Sequence, residues 1–220
     1  MRKQIKPFAF YEEEGLQRRY FYTVDLQGRL YLEESPVKNM TSCLKDDKFL
    51  NFFFRQIRRN DTGLHPSYPF VSPCGKEMNY LLPADMPVVF HDLLPALSGN
   101  EKSGDRGGCL VFGGGLQQRF DPRQVHLSRR SGRLYHPVEG GKRVRGQPGF
   151  GLLRSHVAFL LSDALRESAG GKLALEWEGG GEAEGGREGG REGRREGGRA
   201  EYPIRELPDE EEPVWGMPPA

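Results

Sequence analysis

The sequence predicts an α+β domain: a single, largely antiparallel β-sheet with two main helices packed on it, followed by a disordered C-terminal tail. Three observations carry this. Short aromatic and β-branched runs recur along the chain, each bounded by glycine or proline. Two longer stretches, "DDKFLNFFFRQIRRN" and "LLRSHVAFLLSDALR", place apolar side chains at helical spacing. About 160 residues lie between Arg19 and Trp177, enough to bury one hydrophobic core.

In chain order, "RYFYTVDLQGRLYLEE" (Arg19 to Glu34) reads as a β-hairpin turning at Leu26-Gln27-Gly28, where Gly28 supplies a positive φ. "SPVKNMTSCLK" then loses strand character. The first helix follows, with Phe49, Leu50, Phe53, Phe54 and Ile57 on one face. Asp46 and Asp47 suit its positive end, and Arg55, Arg58 and Arg59 its negative end. "NDTG" stops it. Strands are expected at Pro69–Ser72, Glu77–Leu82 and Pro87–His91. "SGNEKSGDRGG" is a loop, "CLVFGGGLQQRF" a hairpin with a glycine turn, and "GRLYHPV" a further strand. The second helix is expected to carry Leu152, Leu153, Val157, Leu160, Leu161, Ala164 and Leu165 as one stripe. "KLALEW" reads as the last strand.

The chain therefore divides into an N-terminal extension (1–18), the α+β domain (19–178), a linker (179–200) and an acidic, proline-containing tail (201–220). The linker is almost wholly Gly, Glu and Arg in imperfect "REGG" units. It has too little apolar surface to offset its ordering entropy, so it is read as disordered, low-complexity spacer. Its glutamates offset its arginines, which removes the unopposed positive charge an RNA tether needs. The tail either stays free or docks Ile204, Val214 and Trp215 on the domain.

Bulk composition excludes several classes. The 32 basic and 31 acidic side chains nearly cancel, so no overall field attracts nucleic acid or a membrane. The charge is graded, however, with six acidic and one basic residue between Glu201 and Ala220. The three cysteines, Cys43, Cys74 and Cys109, are widely spaced and odd in number, which reads as free thiols in a reducing compartment. No apolar run reaches the roughly 18 residues of a membrane span. The first residues lack the apolar core of a secretion signal, and the acidic triplet Glu12 to Glu14 is foreign to transit peptides. A soluble, intracellular protein is expected, with a mean hydropathy of −0.67.

"RRYFYTVDLQGRLYLEES", "KNMTSCLKDDKFLNFFFRQIRRNDTG", "YPFVSPCGKEMNYL", "PVVFHDLL", "GRLYHPV" and "GFGLLRSHVAFLLS" occur in this order. Together they resemble the uncharacterised protein family UPF0598, a domain of unknown function, over most of Arg19 to Asp163. The resemblance implies no activity, substrate or catalytic residue. It implies a mitochondrial location, with the cytoplasm as the alternative. Two positions depart from the family's pattern: Leu116-Gln117-Gln118 after the triple glycine, and His91-Asp92 after "PVVF".

The densest cluster of reactive side chains is "YPFVSPCGKEMNYLL". Cys74 reads as a nucleophile if Lys76 supplies a cation and His136 a base, or as a small apolar group at a strand end. Glu77 is the alternative reactive group. Asn79, Lys76, Tyr135 and Arg154 are candidates for holding a polar or anionic ligand. No metal-ligand spacing is present among the five histidines, and no cofactor is expected. Gly113 to Gly115 fit a hairpin turn and match neither phosphate-loop pattern.

Two functional expectations follow. One is a non-catalytic or accessory domain binding a protein partner or small ligand, with Phe52 and its neighbours as the candidate apolar patch. The other is an enzyme built on the Pro73–Asn79 turn, using Cys74 or Glu77 with His136. An enzyme requires those side chains to converge; a binding module requires an exposed apolar patch.

Overall fold

The computed structural model describes residues 6–95, 108–139, 146, 148–168, 172–178 and 199–213. Helix α1 (Phe8–Leu16) leads into β1 (Arg19–Val24) and β2 (Leu30–Leu32), then α2 (Asp47–Arg55). The short strands β3 (Arg58–Arg59), β4 (Phe70–Cys74), β5 (Glu77–Pro83), β6 (Val89–Phe90) and β7 (Asp92–Leu94) come next. They are followed by β8 (Cys109–Phe112), β9 (Leu116–Arg119), β10 (His126–Leu127), β11 (Leu134–Pro137) and β12 (Phe150–Leu153). Helix α3 (Ser155–Ser162), β13 (Leu165–Ser168), β14 (Lys172–Glu178), β15 (Arg199–Pro203) and β16 (Arg205–Glu206) complete the fold.

The architecture is α+β and mostly antiparallel, but the strands divide among four sheets rather than one. The first runs β2-β1-β5-β4-β3 and the second β16-β10-β11-β12-β6, while β7-β8-β9 and β13-β14-β15 form smaller sheets. Three contacts are parallel: β1 with β5, β12 with β6, and β10 with β16. Phe90 and Asp92 lie on either side of His91, whose amide donates to the Val111 carbonyl at 2.8 Å, and join different sheets.

Local chemistry explains the elements. The β1–β2 turn is held by Asp25, whose carboxylate accepts from the amides of Gln27 (2.8 Å) and Arg29 (2.9 Å), with Gly28 at φ 81°. Helix α2 begins at Asp46, whose side chain accepts from the Phe49 amide. It buries Leu50, Phe53 and Phe54 against the first sheet, each contributing about 2 kcal/mol. The triple glycine is a close-packing device. A Cβ on Gly113 would sit 3.2 Å from the Phe54 ring, and one on Gly114 would sit 2.6 Å from the Asp47 backbone.

Three boundaries differ from the sequence expectation. Helix α2 ends at Arg55, and Arg58 and Arg59, expected at its negative end, instead form β3 opposite Val71 and Phe70 of β4, a tertiary pairing that overrides the local helical spacing. Leu152 and Leu153 do not begin a helical stripe; they belong to β12, and α3 starts only at Ser155 after Arg154 takes an extended ψ of 153°. A short apolar run reads equally as buried strand or buried helix, so periodicity fails there. At the other end, Leu165 opens β13. Residues 8–16 of the extension also form a helix, packed on β1 through Phe10 and Tyr11.

The acidic segment is docked over residues 199–213: β15 pairs with β14, β16 pairs with β10, and Ile204 packs on the core. Glu178 stands opposite Arg199 in this pairing. The Gly/Glu/Arg run therefore joins adjacent ends of a β-hairpin instead of leading to a separate tail. The disorder predicted for it lies outside the described residues, as do Val214, Trp215 and most of the "SGNEKSGDRGG" loop. Around Phe90, Leu110 and Phe120 a second core gathers β6, β8, β11, β12 and α3, and Phe112 packs against both cores.

Candidate functional site

Cys74 ends β4 and Glu77 begins β5, opposite each other across the two-residue turn Gly75–Lys76. Gly75, at φ 65°, occupies the place where such turns take glycine. Lys76 is exposed at the tip. The Cys74 sulfur lies 3.8 Å from the Ser72 hydroxyl. Burial pushes the thiol above its ordinary range and the Glu77 charge adds to this, against hydrogen bonds from Ser72 and Asn79. Asn79 is fully buried; its amide donates to the Ser72 carbonyl at 2.9 Å, and its Oδ1 has no partner among the described residues. The upward direction of the Cys74 shift disfavours the thiolate that a nucleophilic cysteine needs.

His136 lies elsewhere, in β11 of the second sheet, 1% exposed. Its Nε2 accepts from the Asp121 amide at 3.1 Å, and its Nδ1 donates to the Pro137 carbonyl at 2.8 Å. Both ring nitrogens are thereby used, and burial pushes the imidazole below its ordinary value. The nitrogen that would take a substrate proton already faces an N–H. The structure gives Cys74 and His136 separate sheets and separate partners and does not bring them together.

Tyr135 donates to both oxygens of Asp85 (3.2 and 3.1 Å), and Arg133 pairs with the same carboxylate at 2.9 Å. Burial raises the Asp85 carboxyl, while Tyr135 and Arg133 oppose that rise. Nearby, buried Ser128 donates to Glu212 at 2.8 Å and so fastens the docked C-terminal segment. Arg154 donates from Nε to the Gln27 side chain, tying α3 to the first hairpin. These candidates hold elements of the fold together. Among the described residues, no group of three or more His, Cys, Asp and Glu side chains assembles as a metal site. No helix there is long and apolar enough to cross a membrane.

One arrangement that the sequence reading missed surrounds Lys6. Its ammonium lies 4.2 Å from the centre of the Phe10 ring, 4.7 Å from that of Tyr68 and 5.0 Å from that of Phe21. It donates to the Tyr68 hydroxyl at 3.1 Å, and Tyr68 donates to Glu33. The Lys6 amide reaches the Tyr11 hydroxyl at 3.3 Å, and Tyr11 donates to the same Glu33 oxygen at 3.2 Å. Burial and the Glu33 charge push the Tyr11 hydroxyl up to about 12. Three separate stretches of sequence meet here, so no local spacing could have revealed them.

Fold and sites together define an α+β domain whose candidate reactive groups are dispersed and whose polar clusters lock its elements. The chain belongs to the family described as "Domain of unknown function (DUF4505)", whose model matches residues 11–180. Among solved structures it is similar to a DUF1285 family protein from Silicibacter pomeroyi DSS-3, with TM-score 0.44 and 14% identity over 80% of this chain and 84% of that one. It is also similar to a DUF1285 family protein from Shewanella baltica OS155, with TM-score 0.40 and 16% identity over 66% of this chain and 91% of that one.

Proposed function

We propose that the protein is a non-catalytic accessory domain that binds a protein partner through the outer face of α3. The observation that carries this reading is the exposure of two adjacent large apolar side chains there, Phe159 at 74% and Leu160 at 43%. His156, Phe159 and Leu160 fall on one helical face. His156 Nε2 lies 3.8 Å from Asp92 of β7, and Leu94, two residues along that strand, presents a further exposed apolar side chain on the same side. Exposed apolar side chains beside a polar pair have the composition of an interaction surface. By contrast, Phe52, first expected to centre such a patch, stands between Lys48 and Arg55 on the outer side of α2. The mitochondrial location implied by the family resemblance belongs to the same proposal.

The test is a photo-crosslinking side chain at position 159 in cells, compared with the same group at exposed Val37. A discrete crosslinked protein is expected at 159 only, lost on Leu160→Asp. Identical products from both positions, or products indifferent to Leu160→Asp, overturn the reading. Recovery of the tagged chain in the cytosol and not with mitochondria removes the location.

A further inference from the structure

We propose that the box formed by Phe10, Phe21 and Tyr68 above the Glu33 carboxylate is a recognition site for a small alkylammonium ligand, in which Lys6 is an intramolecular occupant. This site is independent of the α3 face and stands or falls separately from it.

Three aromatic faces around one cation, backed by a carboxylate, is the arrangement that recognises ammonium groups in water. Here it is built from the body of the domain. Phe21 (β1) and Tyr68 are 2% and 1% exposed and belong to one buried cluster with Val71 and Tyr80. Phe21 stacks on Tyr80 at 5.3 Å, and the ring of His65 meets Phe21 edge-on at 4.9 Å and Tyr80 at 4.6 Å. The walls are thus fixed by packing that does not involve Lys6. Glu33 is fixed too, since its amide donates to the Phe21 carbonyl at 2.8 Å and its carboxylate gathers both tyrosine hydroxyls. Helix α1 has its own attachment at the far end, where Glu14 pairs with Arg19 at 3.1 Å and His65 at 3.2 Å.

Lys6 fits the box imperfectly. A primary ammonium is strongly hydrated, and entering the box strips water from it. Desolvation outweighs the attraction of Glu33 and Glu14, so the Lys6 pKa falls below its ordinary value. Only one of its three N–H groups has a described acceptor, the Tyr68 hydroxyl. A methylated ammonium needs no such acceptors, sheds water more readily and covers the ring faces more fully. It is therefore the better occupant, and the Lys6 side chain, not helix α1 with its Phe10 wall, is the competitor it displaces.

The experiment uses the full chain carrying Lys6→Ala, which vacates the box while leaving Phe10 and Glu14 in place. Tetramethylammonium is titrated and followed by aromatic-ring chemical shifts, with sodium chloride and 1-propanol as controls. Saturable binding about tenfold or more tighter than in the unsubstituted chain is expected, in proportion to a desolvated cation–π contact. No binding to folded Lys6→Ala, equal binding to both chains, or equal binding of 1-propanol overturns the proposal. Should Lys6→Ala fail to fold, the unsubstituted chain decides it. Tetramethylammonium is expected to raise the rate of Lys6 acylation severalfold where sodium chloride at equal ionic strength does not, and an unchanged rate overturns it.

Discussion

Asn51 and Gly114 grip each other across 63 positions of sequence: the Asn51 amide donates to the Gly114 carbonyl at 3.2 Å, and the Gly114 amide donates to Asn51 Oδ1 at 3.1 Å. The grip brings the β8–β9 turn against the first turn of α2 so closely that no side chain fits between them. Gly114→Ala is expected to cost about 1–3 kcal/mol, because the clash is with Asp47 backbone rather than a movable side chain. Gly115→Ala has open space around its Cβ but a φ of 108°, so its cost is backbone strain alone. Urea denaturation of both variants and of Asn51→Ala checks this. Additive losses for the Asn51→Ala and Gly114→Ala pair would show that the two residues do not act as one contact.

Acid should weaken the fold in a predictable window. Burial holds His136 and His91 below their ordinary value of 6.5, with the Arg154 charge adding to the effect at His91. The unfolded chain therefore takes up protons below that value while the folded one refuses them. Their contribution is complete above 6.5 and is lost as pH falls towards the depressed folded values. Unfolding free energies from urea titrations should fall as pH drops below 6.5, by at most about 1.4 kcal/mol per pH unit for each histidine. His136→Asn is expected to be less stable throughout but to give a flatter profile; an unchanged slope would contradict the assignment.

Cys74 should behave as a sluggish thiol. In a chain with Cys43 and Cys109 replaced by serine, its alkylation rate is expected to keep climbing beyond the ordinary thiol value of 9.0. Cys74→Ala should leave the hairpin intact. A rate that levels off below about pH 8 would restore the activated-nucleophile reading.

How much of this was readable beforehand depended on the distance over which each signal acts. Helix α2 was legible because Asp46, Phe49, Leu50, Phe53 and Phe54 lie within a few turns of one another. The turns at Gly28 and Gly75 were legible because positive φ is a single-residue demand. The parallel contact of Tyr22 with Leu81 was not, since no local pattern records it. Leu152 and Leu153 misled because a strand covered on both sides and a buried helix use the same side chains. The same limit applied to sites. Chemistry at the Cys74 turn could be named from its residues, but whether His136 would join it depended on Asp121 and Pro137, which fix that ring elsewhere. The box around Lys6 collects residues from the extension, the first hairpin and the segment before β4.

Shortening the Gly/Glu/Arg run offers a further test of topology. Glu178 and Arg199 are paired neighbours, so four residues suffice where 20 now connect them. Such a chain is expected to gain about 1.4 kcal/mol from reduced loop-closure entropy. Ending the chain after Glu178 should instead be costly, because it strips β15, β16 and Glu212 from their partners. A shortened chain less stable than the original would argue against the β14–β15 pairing.

The pairing of β16 with β10 also governs the order in which the molecule is born. The outer edge of β10 is closed by β16, the last described strand to leave the ribosome. Until then the nascent protein carries a bare strand edge that invites pairing with other chains. A holding chaperone, or slow release until the final segment folds back, is what a cell would need to supply.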